Sequence, residues 1–427
     1  MGYGWRDVPG LLRFPEGRWE VLRGGAWRLW PVLRPAARAW RRAALARTRV
    51  VAVTGSLGKT TTARCVAAAL GARMGPLPSN QFGLLALNLL AVHPWQGRAV
   101  LEVGIDGPGQ MEVYADMLRP DLTVVTAVAS EHRRSLGALD ATQREKGQMV
   151  RALGPGGVAV LNGDDPRVCP MAAGSRARTV TYGFEPHCDV RARTADLRWP
   201  RGTALTVEVG GRTLELQSRL FGRVMVYPVL AALAAAWAAG TDPGLAACRL
   251  EAVEPSPGRF QPVFLPSGAI VVRDDFKAPL ESIEAALDFL AEVPARRRFA
   301  LLGDVTEPPG SQGPIYRALG RRAAASCDRI LVLGDRVEHT LPGGASEAGF
   351  PRERIARCRG SYRTAVELLR DELGPGDVVL VKGRQDQRLE RVTLALEGRA
   401  VGCPRRTCGT KVFPCSRCSR LARLRLP

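Results

Sequence analysis

The sequence lacks an apolar run long enough to cross a membrane. Its longest uncharged and largely apolar stretch, residues 224–240, is rich in alanine and interrupted by Pro228. A membrane-spanning helix needs about 20 consecutive apolar residues, so this stretch is expected to form a buried helix. Arginines break every apolar stretch among the first 50 residues. We therefore expect no signal peptide and a cytoplasmic protein.

Lysine is also scarce in this chain. Only five of the 61 basic residues are lysines, at positions 59, 146, 277, 382 and 411. Arginine and lysine are not interchangeable, so each remaining lysine marks a position at which amine or ammonium chemistry has a specific use. The net charge of +20 favours nucleic acid, an anionic membrane or an acidic substrate as partner, without choosing among them.

The composition is that of a globular protein. The chain has 427 residues, of which 46% are apolar and 24% are charged. At about 150 residues per domain, this length predicts two or three domains. Cores of this size need no disulfides, so the six cysteines scattered along the chain are expected to be buried thiols.

Short β-rich runs alternate with longer Ala- and Leu-rich stretches from residue 49 onward. The predicted strands are 49–53, 99–103, 122–126, 158–161, 270–273, 298–302, 330–333 and 378–381. The predicted helices between them include 60–70, 280–290 and 362–373. Continuous apolar strands that alternate with helices predict an α/β fold whose parallel sheets are covered on both faces. Two alternating segments around Gly210-Gly211 predict an attached β-hairpin.

A glycine-rich loop at 55–61 follows the first of these strands and opens a helix. Glycines let backbone N–H groups approach a phosphate, and the start of a helix adds a favourable dipole. Lys59 can reach the β- and γ-phosphates of a nucleotide, and the Thr60 hydroxyl can ligate Mg²⁺. The residues expected to bind the nucleotide here are Gly55, Ser56, Gly58, Lys59, Thr60 and Thr61.

Further motifs follow in order, at residues 102–111, 119–121, 126–132, 145–147, 162–165, 258–260, 274–279, 302–304 and 381–391. Together with the loop they resemble the Mur ligase family, which comprises ATP-dependent amide ligases that build peptides without a ribosome. The resemblance covers about residues 49–397. It implies a P-loop central domain with a parallel sheet, followed by a Rossmann-like α/β domain.

The Pro- and Gly-rich stretch near 255–262 marks the predicted boundary between these two domains. The sequence thus predicts a Trp- and Arg-rich helical segment at 1–48, an ATP-binding central domain at 49–262, a C-terminal ligase domain at 263–400, and a basic Cys-rich tail at 401–427.

The resemblance also implies a mechanism and its residues. A carboxylate attacks the γ-phosphate of ATP to give an acyl phosphate, which an amine then attacks. Thr60 and Glu102 would hold one Mg²⁺, Glu102 and His132 a second, and Lys146 would be carbamylated. The other residues expected in the site are Lys277 and Lys382 for catalysis and Asn80, Arg259 and Asp275 for nucleotide binding.

The sequence departs from the family pattern at two places. Relatives usually carry a His and two Asn residues, which help to hold the nucleotide, where this chain has 222–228 without them. A degenerate ligase that serves as a scaffold or regulatory partner is therefore an alternative. Relatives that act on UDP-linked substrates also carry a separate domain before the phosphate loop, where about 50 residues stand here.

We therefore expect a carboxylate substrate that differs from those of the relatives or is lipid-linked. Residues 1–48 hold five of the eight tryptophans and only three acidic residues. They predict amphipathic helices on an anionic membrane, at the inner membrane face. The alternative is a helical arm packed on the catalytic domains.

Four cysteines, Cys403, Cys408, Cys415 and Cys418, lie in the basic tail. Four thiolates can bind structural Zn²⁺ tetrahedrally, so we expect a small zinc site, with free or redox-active thiols as the alternative. The tail and the net charge also suggest an alternative function, that of a nucleic-acid-associated NTPase. No helicase motif or RNA-binding aromatic signature supports it, so nucleic acid is not the expected partner.

Overall fold

The computed structural model describes residues 4–130, 136–410 and 412–422. These residues divide into two compact units, each described by itself here. The central unit is Arg23–Glu254, and the C-terminal unit combines Met1–Leu22 with Pro255–Pro427. The division thus falls at 22/23 and 254/255, whereas the sequence suggested changes at 48/49 and 262/263.

The described α-helices, numbered in chain order, are α1 Val8–Leu11, α2 Pro15–Arg28, α3 Trp30–Ala43, α4 Lys59–Leu70, α5 Phe82–Leu90, α6 Gln110–Leu118, α7 Leu139–Arg151, α8 Val226–Ala238, α9 Pro243–Glu251, α10 Leu280–Glu292, α11 Gln312–Ser326, α12 Val337–Glu347, α13 Tyr362–Glu372 and α14 Glu390–Leu396. Short 3₁₀ turns lie at Trp5–Asp7, Cys169–Gly174, Arg223–Met225, Arg352–Arg354, Gln385–Gln387 and Cys415–Arg417.

The strands are β1 Arg49–Thr54, β2 Arg73–Met74, β3 Arg98–Glu102, β4 Leu122–Val125, β5 Val158–Asn162, β6 Arg178–Gly183, β7 Val190–Arg198, β8 Gly202–Val209, β9 Arg212–Ser218, β10 Gln261–Phe264, β11 Ile270–Asp274, β12 Arg298–Leu302, β13 Arg329–Val332, β14 Ile355–Arg357 and β15 Val378–Lys382.

The central unit is built on a nine-stranded sheet in the order β2-β3-β1-β4-β5-β6-β7-β8-β9. The strands from β2 to β7 pair in parallel, and β7, β8 and β9 form an antiparallel extension. Gly210 and Gly211 turn the predicted hairpin between β8 and β9 with positive φ angles of 56° and 76°. A two-residue turn of this kind requires left-handed backbone, which glycine adopts without strain.

Strand β1 shows how both faces of this sheet are buried. Val51 and Val53 pack into a core with helices α4, α8 and α9. Val50 and Ala52 pack into a second core with α3, α5 and α6. A strand buried on both faces reads as a continuous apolar run, which is why the sequence predicted it.

The C-terminal unit contains a six-stranded sheet in the order β10-β11-β15-β12-β13-β14. All its pairings are parallel except that of β10 with β11. The predicted α/β fold, with a P-loop central domain and a Rossmann-like C-terminal domain, is confirmed. Within the described ranges, no helix combines the length and the apolar character that a membrane crossing requires.

Candidate active site

The phosphate-binding loop lies between β1 and α4 and depends on two glycines. Gly55 has a φ of 142°, and a Cβ atom there would lie 1.9 Å from Thr126 Oγ1. Gly58 has a φ of 79° and directly precedes the first residue of α4. A side chain at Gly55 would therefore clash with Thr126, and the positive φ of Gly58 would strain any residue other than glycine.

The end of strand β4 holds this loop in place. The Ser56 backbone N–H donates to Ala127 O over 2.7 Å, and Thr126 Oγ1 donates to Leu57 O over 2.5 Å. Asn162 Nδ2, at the end of β5, donates to Thr126 O over 2.8 Å. The loop is thus fixed before any ligand binds, as a preorganised phosphate site requires.

Two buried lysines meet at the loop. Lys59 Nζ donates to the carbonyl oxygens of Gly55 and Ser56, over 2.8 Å in both cases. Lys146 Nζ, on helix α7, donates to the same Gly55 oxygen over 2.9 Å. Lys59 is 5% exposed and Lys146 is 0% exposed. The Lys59 ammonium and the N-terminus of α4 together favour a polyanion at this point, and Lys146 places a second amine beside them.

The Ser56 hydroxyl tests whether the loop fits a phosphate. Its Oγ atom is buried and has no hydrogen-bond partner, and the same holds for the Oγ1 atom of Thr54. A buried hydroxyl without a partner costs free energy. A phosphate oxygen in the loop would offer an acceptor, so these orphaned donors are consistent with a bound nucleotide.

Glu102 and Asn80 form a second polar pair next to the loop. Glu102 ends β3 and lies in register with Val53 of β1. Asn80 Nδ2 donates to Glu102 Oε1 over 2.6 Å, which fixes the carboxylate. Thr60 lies half-buried in the first turn of α4, and Thr61 beside it is buried. His132 lies outside the described residues.

The other predicted site residues lie in the C-terminal unit, and all except Arg259 end or closely follow β11 or β15. Lys382 Nζ donates to Asp274 Oδ2 over 2.5 Å and to Lys277 O over 2.9 Å. Burial raises the pKa of Asp274, against the opposing pull of Lys382. Carboxyl ends of parallel strands are where doubly wound sheets bind ligands.

Asp275 and Arg259 complete this second group. Arg273 Nη2 donates to both oxygens of Asp275, over 3.1 and 3.2 Å. The Arg259 guanidinium lies 4.0 Å from the centre of the Phe276 ring. The predicted site residues that the structure describes, apart from the tail cysteines, thus form two groups, one in each unit.

Sequence reasoning assigned no role to several side chains that shape these groups, although most of them stand within the recognised motifs. Thr126 and Asn162 hold the phosphate loop, and Asp274 and Arg273 pair with predicted residues. Each follows or ends an apolar strand, which is the signal that could have identified it.

The segment 222–228, which lacks the family's His and Asn residues, is built from other contacts. The Arg223 guanidinium lies 3.7 Å from the centre of the Phe184 ring. Tyr227 packs edge-on against the same ring and donates to Asp164 Oδ2 over 2.9 Å. Burial and this aspartate raise the pKa of Tyr227. A cation–π contact, an aromatic pair and a hydrogen bond therefore order a segment that lacks the usual amides.

The predicted zinc site is not supported. The four tail cysteines are free thiols, and residues 4–130, 136–410 and 412–422 hold no group of three or more His, Cys, Asp or Glu side chains that could bind a metal ion. Side-chain hydrogen bonds to the tail backbone, such as that from Arg391 Nη1 to Cys403 O at 3.1 Å, hold the tail instead.

Comparisons with known proteins agree with this geometry. The Mur ligase middle domain matches residues 53–236, and the glutamate ligase domain of Mur ligases matches residues 258–385. The chain is 25% identical over 352 residues to the UDP-N-acetylmuramoyl-tripeptide–D-alanyl-D-alanine ligase of Bacillus subtilis, covering 81% of this chain and 75% of that protein. The Escherichia coli ligase of the same name is 28% identical, with coverages of 82% and 77%.

The fold is also similar to solved structures. The MurF ligase of Thermotoga maritima, solved in complex with ADP, superposes with a TM-score of 0.74 at 22% identity, covering 86% of this chain and 83% of that one. Since the two domain models together match most of the sequence, the chain belongs to the Mur ligase family, whose members are ATP-dependent ligases that form amide bonds.

Proposed function

We propose that this ligase activates a carboxylate at the loop 55–61 and joins it to the amine of an amino acid or short peptide in cell-wall or related peptide-like biosynthesis. The carboxylate oxygen bonds to the γ-phosphorus of ATP and ADP leaves. The amine then bonds to the acyl carbon, and inorganic phosphate leaves with loss of a proton. The observation that carries this proposal is the meeting of Lys59 and Lys146 at the Gly55 carbonyl.

Different residues around the loop would bind the phosphates and position the neighbouring carboxylate. Lys59 and the N–H groups at the start of α4 would bind the β- and γ-phosphates, with Gly55, Ser56, Gly58 and Thr61 shaping the cradle. Asn80 would keep the Glu102 carboxylate aligned beside it.

The oxygen donors here fit Mg²⁺, which prefers hard oxygen ligands and retains several waters. Thr60 and Glu102 would hold one ion, and Glu102 with His132 a second. Bound Mg²⁺ would offset the negative charge that builds up on the phosphates during transfer. Positioning of the two substrates remains the task of the protein's own side chains.

Lys146 is proposed to carry a carbamate. Its unprotonated amine would bond to the carbon of CO₂ and release a proton. The carbamate nitrogen keeps one N–H, so the hydrogen bond to Gly55 O can persist while the anionic end extends beyond it. Arginine offers no free amine at working pH and cannot replace this residue.

The C-terminal group is proposed to bind the nucleotide and the incoming amine. Arg259 and Asp275 would contact the nucleotide. Lys277 and Lys382 would contact a phosphate or the second substrate. Burial of the Lys382–Asp274 pair supports this role, since strongly perturbed charges concentrate at functional sites.

We further propose that the carboxylate substrate is lipid-linked and that the protein rests on the inner face of an anionic membrane. Trp27, Leu29 and Val32 are large apolar residues that are 51%, 56% and 66% exposed. They lie where α2 ends and α3 begins, beside Arg28 and Arg34. Exposed apolar residues flanked by arginines suit an anionic lipid surface.

Sedimentation with anionic liposomes tests the membrane proposal on the full chain. Replacing Trp27, Leu29 and Val32 together by serine should abolish binding. The control is Trp95→Ser, because Trp95 is 80% exposed but lies outside this patch. Equal binding by the triple variant and the control would overturn the proposal.

The ligase proposal is tested by substrate-dependent release of ADP and phosphate. The assay supplies Mg²⁺, bicarbonate, a panel of amino acids and dipeptides, and UDP-linked and lipid-linked carboxylate donors. Activity in the wild type that is lost in Lys59→Ala and Lys146→Arg would support it. Failure of the wild type to bind ATP in calorimetry would favour the scaffold alternative instead.

A further inference from the structure

The tail, residues 401–422, is held by buried charged side chains at the start of α14. Arg388 Nη1 donates to Phe413 O over 2.8 Å, and Arg391 Nη1 donates to Cys403 O over 3.1 Å. Arg388 is 6% exposed and Arg391 is 3% exposed. Both acceptors are backbone atoms, so these contacts fix the path of the tail and do not depend on which side chains it carries.

One contact of the tail leads towards the candidate site. The backbone N–H of Cys415 donates to Glu390 Oε2 over 2.8 Å. The other carboxylate oxygen, Oε1, lies 3.7 Å from Arg273 Nη2. The same Nη2 atom donates to both oxygens of Asp275, over 3.1 and 3.2 Å. A continuous polar chain therefore runs from the tail backbone to Asp275.

In this series of polar contacts, the position of Asp275 depends on that of the Cys415 backbone. Arg273 is shared between two carboxylates, so its position follows that of Glu390. The side chains of Arg273, Glu390 and Asp275 are only 12%, 12% and 3% exposed. Water cannot readily replace a lost partner at such depth, and hydrogen bonds to charged groups are strong there.

We propose that the tail is a positioning element of the ligase: the Cys415 backbone N–H orients Glu390, and through Arg273 it sets the Asp275 carboxylate. The inference rests on the proposed role of Asp275 in nucleotide binding. Glu390 and Arg273 are then positioning residues. The Cys415 thiol has no part in this role, although the cysteine spacing first drew attention to the tail.

Replacing Cys415 by two different residues separates the N–H from the thiol. Cys415→Pro removes both, and Cys415→Ala removes the thiol alone. Cys415 is the first residue of a 3₁₀ turn, and Pro414 before it has an extended ψ of 145°. Proline is compatible with both conditions, since it suits the first turn of a helix and requires an extended residue before it.

Steady-state kinetics and calorimetric titration with ATP are measured on the full chain. Cys415→Pro should raise both the KM and the dissociation constant for ATP at least fivefold relative to Cys415→Ala, while kcat changes less than twofold. A purely structural role would instead lower the active fraction and leave KM unchanged. Equal constants in the two variants would overturn the inference.

Glu390→Gln provides a second test if the proline variant fails to fold. Glutamine still accepts from the Cys415 N–H but cannot attract Arg273 as a charge. A KM for ATP at least threefold above wild type, with an unchanged melting temperature, is expected, and a wild-type KM would contradict the inference. A wild type that neither ligates nor binds ATP would overturn the proposed function, and the inference with it.

Discussion

Lys59 and Lys146 donate hydrogen bonds to the same backbone oxygen, the carbonyl of Gly55, over 2.8 and 2.9 Å. One lysine opens helix α4 and the other lies on α7, so a single acceptor ties two helices to the phosphate loop. The oxygen accepts a hydrogen bond from each side chain and holds both nitrogens beside the loop where a polyphosphate would bind. The two lysines then differ in their proposed roles, since Lys59 would bind phosphates as a cation and Lys146 would form a carbamate through its amine.

The first prediction concerns Lys146. Lys146→Arg keeps a positive charge but cannot form a carbamate, so ligation should fall about 100-fold or more, the scale of a lost transition-state group. ATP affinity measured by calorimetry should change only a few-fold. Added bicarbonate should stimulate the wild type and leave the variant unchanged. Lys411→Arg, at a lysine outside the motifs, serves as the control, and ligation by Lys146→Arg at the control's rate would refute the carbamate.

Gly55→Ala should prevent nucleotide binding. A Cβ atom at this position would lie 1.9 Å from Thr126 Oγ1, and the φ of 142° is strained for alanine by about 1–3 kcal/mol. Gly154→Ala is the matched control, because a Cβ atom there meets nothing within 4 Å. Fluorescence titration with a labelled ATP analogue should show a loss of at least tenfold in affinity for Gly55→Ala only.

Lys382→Met should destabilise the C-terminal unit by about 3–5 kcal/mol, because it leaves a buried carboxylate without its partner. Adding Asp274→Asn removes that charge and should restore a large part of the loss. Urea unfolding of the wild type, the two single variants and the double variant measures the coupling between the residues. Strict additivity of the two single effects would show that the pair does not interact.

The stability of the chain at acid pH should depend on Asp377. Burial opposes ionisation of this group, but hydrogen bonds from Arg296 and Arg297 hold its pKa well below the ordinary value. Its contribution is therefore present above about pH 4 and is lost as the pH falls towards the folded-state pKa. Asp377→Asn should lower the free energy of unfolding by about 2 kcal/mol at pH 7 and much less near pH 2.

Asp288→Asn is the control for that experiment. Asp288 also pairs with an arginine, Arg322, but its side chain is 52% exposed. Exposed pairs contribute about 0–1 kcal/mol, so urea unfolding should show little change at either pH. A pH dependence of Asp377→Asn that matches the wild type would refute the assignment.

The sequence predicted the buried strands well because both faces of each are apolar. The strand 298–302 was placed at the residues where β12 occurs, and 49–53 differs from β1 by one residue. Strand β7 was missed because its residues alternate between buried and exposed and carry several charges. Its place in the sheet comes from pairing with β8, which no local pattern reveals.

The site was predicted unevenly for a related reason. The loop 55–61 is local, so its glycines and its lysine, between a strand and a helix, could be recognised within one stretch of sequence. The Lys382–Asp274 bond joins residues 108 positions apart, and the arrangement of the tail depends on pairs such as Ser419 with Glu16, 403 positions apart. Contacts of that range depend on the packed fold. The cysteine spacing suggested a metal, whereas backbone bonds to arginines hold the tail.

The pairing of Glu16 with Ser419 has a practical consequence for dividing the chain. The central unit, 23–254, is one uninterrupted stretch, but the C-terminal unit is assembled from two pieces that flank it. A fragment that begins at residue 255 would lack Glu16, the hydrogen-bond partner of Ser419. Along the sequence, the central unit is thus an insertion between the two pieces of the C-terminal unit. Expressing the C-terminal unit by itself therefore requires a circular permutation that joins residues 1–22 to residues 255–427.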